Sequence, residues 1–300
     1  MNKVAQQPIL AFVAALAAVG ALSVMDAVMK GLVIALGIFA VSVWRALVNL
    51  VIAAALYLPR RLPWPSRATL RIHVARAVLV TIMAVLFFWG IARVPLAQAI
   101  ALTFIAPLIA LLLAVLFLGE RIGPRSIGGS AAAFAGVLVI VLGQATTDLA
   151  REALIGSAAI LASALCYAGN IVMMRHQALA ARPLEINFFQ AATVMGIWIA
   201  VIAIFGMPAI PVGQWDWIII ASLLSTAGGL MFAWSYARAQ ASYLAVTEYS
   251  AFLWAAALGW LIFDEHVTGY TLGGAALIVG GCLLASRRRP AVMPEIKATA

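Results

Sequence analysis

The stretch WGIARVPLAQA at residues 89–99 returns as WSYARAQASYL at residues 234–244, with Trp89 and Arg93 answered by Trp234 and Arg238. Sliding the chain onto itself by the same 145 residues brings further matches without a gap. Met29 and Lys30 fall on Met174 and Arg175, Thr81 on Thr226, and Phe87 on Phe232. Glu120 falls on Glu265, Gly128 and Gly129 on Gly273 and Gly274, and Gly136 on Gly281. One chain therefore holds two copies of a single unit.

The chemistry of that unit is apolar. Hydrophobic residues make up 66% of the chain and charged residues 10%, with a mean hydropathy of +1.10, against about half and about a quarter in soluble domains. This excludes a soluble protein. The net charge of +9 comes from Lys and Arg at the ends of apolar runs, with no basic stripe of interleaved aromatics, so no nucleic-acid partner is expected. Cys166 and Cys282 lie inside apolar runs and read as small packing residues. No cofactor or metal ligand set is expected.

A hydrocarbon core needs roughly 20 apolar residues per helix. Ten runs satisfy this, at 9–28, 37–58, 72–92, 96–118, 126–143, 153–173, 184–205, 215–236, 243–263 and 270–286. The first run follows a basic start and resembles a secretory signal, but it is needed to match the sixth, and so it is kept as a helix. The expected fold is an all-α integral membrane protein of ten transmembrane helices in two five-helix repeats. The repeats occupy 1–145 and 146–290, followed by a tail at 291–300.

Five is odd, so each helix and its mate cross the bilayer in opposite directions. With the N-terminus inside, the cytoplasmic side receives Lys3, Arg60, Arg61, Arg67, Arg71, Arg76, Arg121, Arg125, Arg175, Arg182, Arg238, Arg287, Arg288, Arg289 and Lys297. The other side receives Lys30, Arg93 and Arg151. The positive-inside rule then sets both termini in the cytoplasm, and the expected location is the inner (plasma) membrane. Inverted repeats are a recurring architecture of secondary transporters, with a site at the repeat interface.

The stretch ALTFIAPLIALLLAVLFLGERIG (101–123), with Pro107 in mid-helix and Glu120 near its end, is followed by the glycine-rich SIGGSAAAFAGVLVIVLG (126–143). The second half echoes these as YSAFLWAAALGWLIFDEH (249–266) and TLGGAALIVGGCLLA (271–285), with Phe252 in place of Pro107. This pattern resembles the EamA repeat of the drug/metabolite transporter superfamily. The resemblance implies that helices one, three, four, six, eight and nine line a cavity, and that small metabolites are exported or exchanged by alternating access. In length and texture the chain is similar to aromatic amino-acid exporters of that family. Transport of S-adenosylmethionine or of cationic drugs is the alternative within it.

Other classes are weaker. The chain has no GxxxxGK[ST] loop for an ATP-driven pump. His73, His176 and His266 lie on separate connections without an HExxH motif or paired carboxylates, so an intramembrane enzyme is not expected. A non-transporting structural or receptor protein is the alternative of another class. The partners expected are a small-molecule substrate and the lipid bilayer, with monomer and homodimer both open.

Ionisable groups at membrane depth mark functional sites by default. Asp26 and Lys30 are four apart near the outer end of the first helix and are expected to share a face as a charge pair or gate. Arg45 lies about 12 Å inside the second helix and is expected to anchor carbonyls or a carboxylate. Glu248 lies well inside helix nine, where its repeat mate is the neutral Thr103, and this asymmetry points to substrate or proton binding. Thr103 on helix four, Tyr167 and Asn170 on helix six, Trp89 and Trp234 at the ends of helices three and eight, and Tyr243 and Trp254 on helix nine complete the candidate substrate site, with Tyr249 on the approach to Trp254. Pro107 is the candidate gating kink. Trp64, Trp215 and Trp217 are expected at the bilayer surfaces. The small-residue stripes Gly128–Ala132–Gly136 and Gly269–Gly273 are expected to let helices approach closely.

Overall fold

A computed structural model of the chain describes residues 8–60, 64–106, 108–109, 124–144, 150–236, 238, 244 and 247–286. Among these the regular structure is helical throughout, without a strand. The helices are α1 (Pro8–Tyr57), α2 (Arg67–Ile91), α3 (Leu96–Thr103), α4 (Pro124–Gln144), α5 (Ala150–Ala180), α6 (Pro183–Phe205), α7 (Trp215–Tyr236), α8 (Ser250–Phe263) and α9 (Gly269–Ser286). Five apolar helical stretches are long enough to cross a membrane, at Ile9–Arg60, Arg67–Ile91, Arg151–Asn170, Leu184–Phe205 and Trp215–Phe232. Shorter apolar helices run over Ile127–Gly143, Ser250–Phe263 and Gly269–Gly281.

Where two separate helices are expected at the start, the structure shows one helical run interrupted only at Gly37, whose φ of 79° and ψ of 156° are open to glycine and hostile to other residues. The run nonetheless folds back there. Asp26 and Arg45 lie within electrostatic reach of each other, although a straight helix would set them roughly 28 Å apart. Pro183 opens α6 at a position where its missing N–H is harmless, and Ser66 caps α2 by accepting from the Thr69 N–H at 3.2 Å.

Three helix pairs dominate the packing: α4 with α9, α1 with α7, and α2 with α5. The 145-residue shift carries the first arm of α1 onto α5 and α2 onto α7, so the second and third pairs are one contact made twice. The first pair maps onto itself. Glycines show this at atomic scale, since a Cβ on Gly136 would stand 2.5 Å from the Gly274 carbonyl oxygen, and one on Gly281 would stand 2.4 Å from that of Gly129. Those two contacts are repeat mates. The expected stripes are therefore corrected: Gly128, Gly269 and Gly273 have open space around their Cα atoms, and the seam runs through Gly129, Gly136, Gly274 and Gly281. The reason is rotational, because neighbouring glycines on a helix point about 100° apart.

The fourth and ninth expected helices are both broken. α3 ends at Thr103, Phe104 and Ile105 form a turn, and helical backbone resumes at Ala106. In the second half Tyr249 is the turn residue before α8. Thr103 Oγ1 donates to the Ile100 carbonyl at 2.7 Å, and Ser250 Oγ donates to that of Thr247 at 2.6 Å, so hydroxyls take up carbonyls near each break.

Candidate functional site

The two breaks meet. Phe104 and Tyr249 are repeat mates, and their rings contact edge to face with centroids 5.4 Å apart and planes at 81°. Glu248 is half-buried immediately before Tyr249, and the Tyr167 phenol on α5 lies in the field of its carboxylate. Trp254 on α8 stands over α1, with its indole carbons 3.3 Å from where a Gly20 Cβ would lie, yet it remains 42% exposed. Thr103 sits at the α3 end of the same junction. Four of the expected site residues, Thr103, Tyr167, Glu248 and Trp254, thus belong to the broken helices or to the helix facing them. Pro107 and Tyr243 lie outside the described residues.

The remaining candidates are elsewhere. Trp89 is covered by its own helix end: the Arg93 guanidinium carbon is 3.4 Å from its ring centroid, and Arg93 Nη1 donates to the Trp89 carbonyl at 2.9 Å. Trp234 and Arg238 repeat this at 4.2 Å and 3.2 Å. The recurring Trp-x-x-x-Arg spacing is a helix-end cap, in which a cation one turn on satisfies an orphan carbonyl and stacks on the ring.

Asn170 is buried, and its Oδ1 accepts from Arg76 Nε at 2.8 Å. Arg76 Nη1 also donates to Gln177 Oε1 at 2.6 Å, Gln177 Nε2 pairs with His73 Nδ1, and His73 Nε2 lies 3.3 Å from Glu185 Oε1. This network joins α2, α5 and α6 at the end of the bundle where α2 begins. Its repeat mates at the opposite end, Met25, Leu32, Ile218 and Ala221, are apolar and buried. Asn170, expected at the substrate site, is held within this polar junction.

The charge pair also needs correction. Lys30 pairs with Glu265 Oε1 and donates to the Val94 carbonyl at 2.7 Å, while Asp26 lies in the field of Arg45 without a direct ion pair, Arg45 Nε having no hydrogen-bond partner among the described residues. The fold-back at Gly37 brings Arg45 to Asp26, and a 235-residue separation hid the partner of Lys30. Arg45 also lies 5.3 Å from the Phe88 ring centroid. Glu265 escaped the sequence reading as a site residue, although its match to Glu120 was a usable signal. Arg76, His73 and Gln98 gave no comparable signal, because their partners or surroundings come from distant helices.

Comparison with known proteins then decides the family. Residues 9–142 and 154–287 each match the EamA-like transporter family, and the two matches begin 145 residues apart. The chain belongs to the EamA-like transporter family. It is accordingly a multi-pass membrane transporter of small molecules and not an enzyme. The pseudopaline exporter CntI of Pseudomonas aeruginosa (strain UCBPP-PA14) is 29% identical over 75% of this chain and 78% of the relative. The riboflavin transporter of Rhizobium johnstonii is 32% identical over 72% and 70%. A probable terminal-alkyne amino-acid exporter of Streptantibioticus cattleyicolor is 29% identical over 68% of each. A solved crystal structure at 21% identity superimposes with a TM-score of 0.59 over 93% of this chain and 96% of its own, a likeness of fold.

Proposed function

We propose that this EamA-family transporter exports or exchanges neutral amino acids, aromatic ones foremost, by alternating access around the junction of its two broken helices. The observation that carries this reading is the contact of Phe104 with Tyr249 beside Glu248, with the Tyr167 phenol within electrostatic reach of the carboxylate. Aromatic edges and faces pack against a planar side chain. A carboxylate at membrane depth pairs with the ammonium group of such a substrate. The name of the Streptantibioticus relative, an amino-acid exporter, agrees in substrate class.

In the same reading the chain crosses the inner membrane ten times as two inverted repeats, with both termini cytoplasmic. The Arg76 network then lies on the cytoplasmic side and the Lys30–Glu265 pair on the external side. Counterflow into proteoliposomes tests the substrate. Labelled phenylalanine, tryptophan, tyrosine and leucine are expected to accumulate against an internal pool of phenylalanine. Accumulation of S-adenosylmethionine or a cationic drug, with no amino acid competing, overturns the amino-acid assignment and favours the other transport reading.

A further inference from the structure

The two sides of α2 differ. His73, Ala77, Thr81, Phe88 and Ile91 are buried along one side, where the helix packs against α5, α6 and α1. Along the other, Arg67, Arg71, Val74, Val78 and Ile82 follow one another at spacings of three and four, which keeps them on one face. All five are exposed, Val74 and Val78 by 42% and Ile82 by 49%.

Charge and apolarity are segregated along this stripe. The arginines head it, the aliphatic residues run down it, and where they meet lies a groove of about 410 Å³ lined by Arg67, Leu70, Arg71, Val74 and Ala75. The first turn of α2 holds no acidic residue. Arg67 and Arg71 make no hydrogen bond or ion pair among the described residues, whereas Arg76 donates to Asn170 and Gln177. The nearby carboxylate of Glu185 is turned to His73 on the buried side. Two guanidinium groups one turn apart therefore stand without a counter-anion among the described residues.

The stripe also has the dimensions of a lipid. Trp64, 75% exposed and packed edge to face on Phe189 at 5.4 Å between centroids, precedes α2, and amphipathic rings in such positions mark the membrane surface. The apolar span opens at Arg67, so the arginines lie at headgroup level and the aliphatic residues below them. From Arg71 to Ile82 the helix rises about 16 Å, which matches one leaflet's half of a hydrocarbon core about 30 Å thick.

We propose that this face of α2 binds one anionic glycerophospholipid, its phosphate held by Arg67 and Arg71 and an acyl chain laid along Val74, Val78 and Ile82. Guanidinium groups form strong charge-assisted bonds to phosphate oxygens. A zwitterionic lipid would bring a second cation up to the same arginines, so the site selects a headgroup whose only charge is the phosphate. The orientation proposed above puts the site in the cytoplasmic leaflet; the binding itself does not depend on it.

The test titrates the purified full-length chain in detergent with phosphatidylglycerol or phosphatidylcholine and counts bound lipid by native mass spectrometry. The first phosphatidylglycerol is expected to bind at least tenfold more tightly than the first phosphatidylcholine. Arg67→Gln/Arg71→Gln should weaken phosphatidylglycerol binding by roughly tenfold or more and leave phosphatidylcholine unchanged. Arg67→Lys/Arg71→Lys, which keeps the charge, should keep the preference. Arg151→Gln, which removes an exposed arginine of α5, should bind like the parent. Glycerol 3-phosphate and inorganic phosphate, which lack acyl chains, should not displace the lipid. Equal binding of the two lipids, phosphatidylglycerol binding that survives Arg67→Gln/Arg71→Gln, or displacement by either free phosphate overturns the proposal. Should the double glutamine variant not fold, Arg71→Gln alone should show a loss of about threefold, and no loss there overturns the proposal equally. The readout involves no transport, so its failure and the failure of the amino-acid reading are separate results.

Discussion

Phe104 and Tyr249, separated by 145 positions, touch edge to face at 5.4 Å between ring centroids. Two mates in contact must lie close to the axis that relates the repeats, and this places the helix breaks on that axis. An aromatic pair of this geometry contributes about 0.5–1.5 kcal/mol beyond its area. Tyr249→Ala and Phe104→Ala should each raise the half-saturating phenylalanine concentration by roughly tenfold in counterflow, with the protein still inserted. The double variant should fall short of the sum. Additive losses would show that the rings act separately.

Glu248→Gln keeps the shape of the side chain and removes its charge. It should fold and insert, with exchange of amino acids reduced by about tenfold or more, as loss of one charge-assisted bond implies. Exchange equal to the parent at every pH measured would make Glu248 part of the scaffold.

The α4–α9 seam predicts a contrast between neighbouring glycines. Gly136→Ala forces a methyl to within 2.5 Å of the Gly274 carbonyl oxygen and should destabilise the protein by about 1–3 kcal/mol. Gly128→Ala and Gly273→Ala meet nothing within 4 Å and should fall within about 0.5 kcal/mol of the parent. Thermal unfolding in detergent reads the difference, and equal midpoints for all three variants would contradict the seam.

Arg76→Met leaves the buried Asn170 and Gln177 oxygens without their donor. The expected loss is about 1–3 kcal/mol for each oxygen that water does not reach, measured by the same melt. Because this junction lies apart from Phe104 and Tyr249, the half-saturating phenylalanine concentration should stay within about twofold of the parent.

Orientation is checked at two exposed positions, Trp64 before α2 and Val212 before α7. The thiol of Trp64→Cys should react with an impermeant reagent only from the cytoplasmic side, and that of Val212→Cys only from outside. Reaction of both from one side would sink the inverted arrangement.

Much of this protein was legible in one dimension. Composition placed it in a bilayer, and the 145-residue register, read from Trp89 and Trp234, revealed two copies of one unit. These are local or periodic properties: a span is apolar because of the residues within it, and a repeat is visible wherever two stretches still share side chains. The register also singled out the Trp-x-x-x-Arg motif, although its role as a helix-end cap became clear only from the stacking of Arg93 and Arg238 on their rings.

Partnership was decided elsewhere. Helical spacing made Asp26 and Lys30 natural partners, but a four-residue spacing brings two groups only to the same face, and the lowest-energy partner of a buried charge is whichever opposite charge the fold delivers. The turn at Gly37 brought Arg45 within electrostatic reach of Asp26, and the approach of the α8–α9 connection to α1 delivered Glu265 to Lys30 as an ion pair. The seam through Gly129, Gly136, Gly274 and Gly281 followed the same logic, since rotation about the helix axis chooses which glycine of a neighbouring pair meets the partner backbone. The meeting of Phe104 with Tyr249 likewise required both helices to break at matched positions and then to cross. Which segments are apolar enough for the membrane, and that they come in two copies, is written along the chain. Which charge faces which is settled in three dimensions, because it depends on distances between helices that no spacing along the chain records.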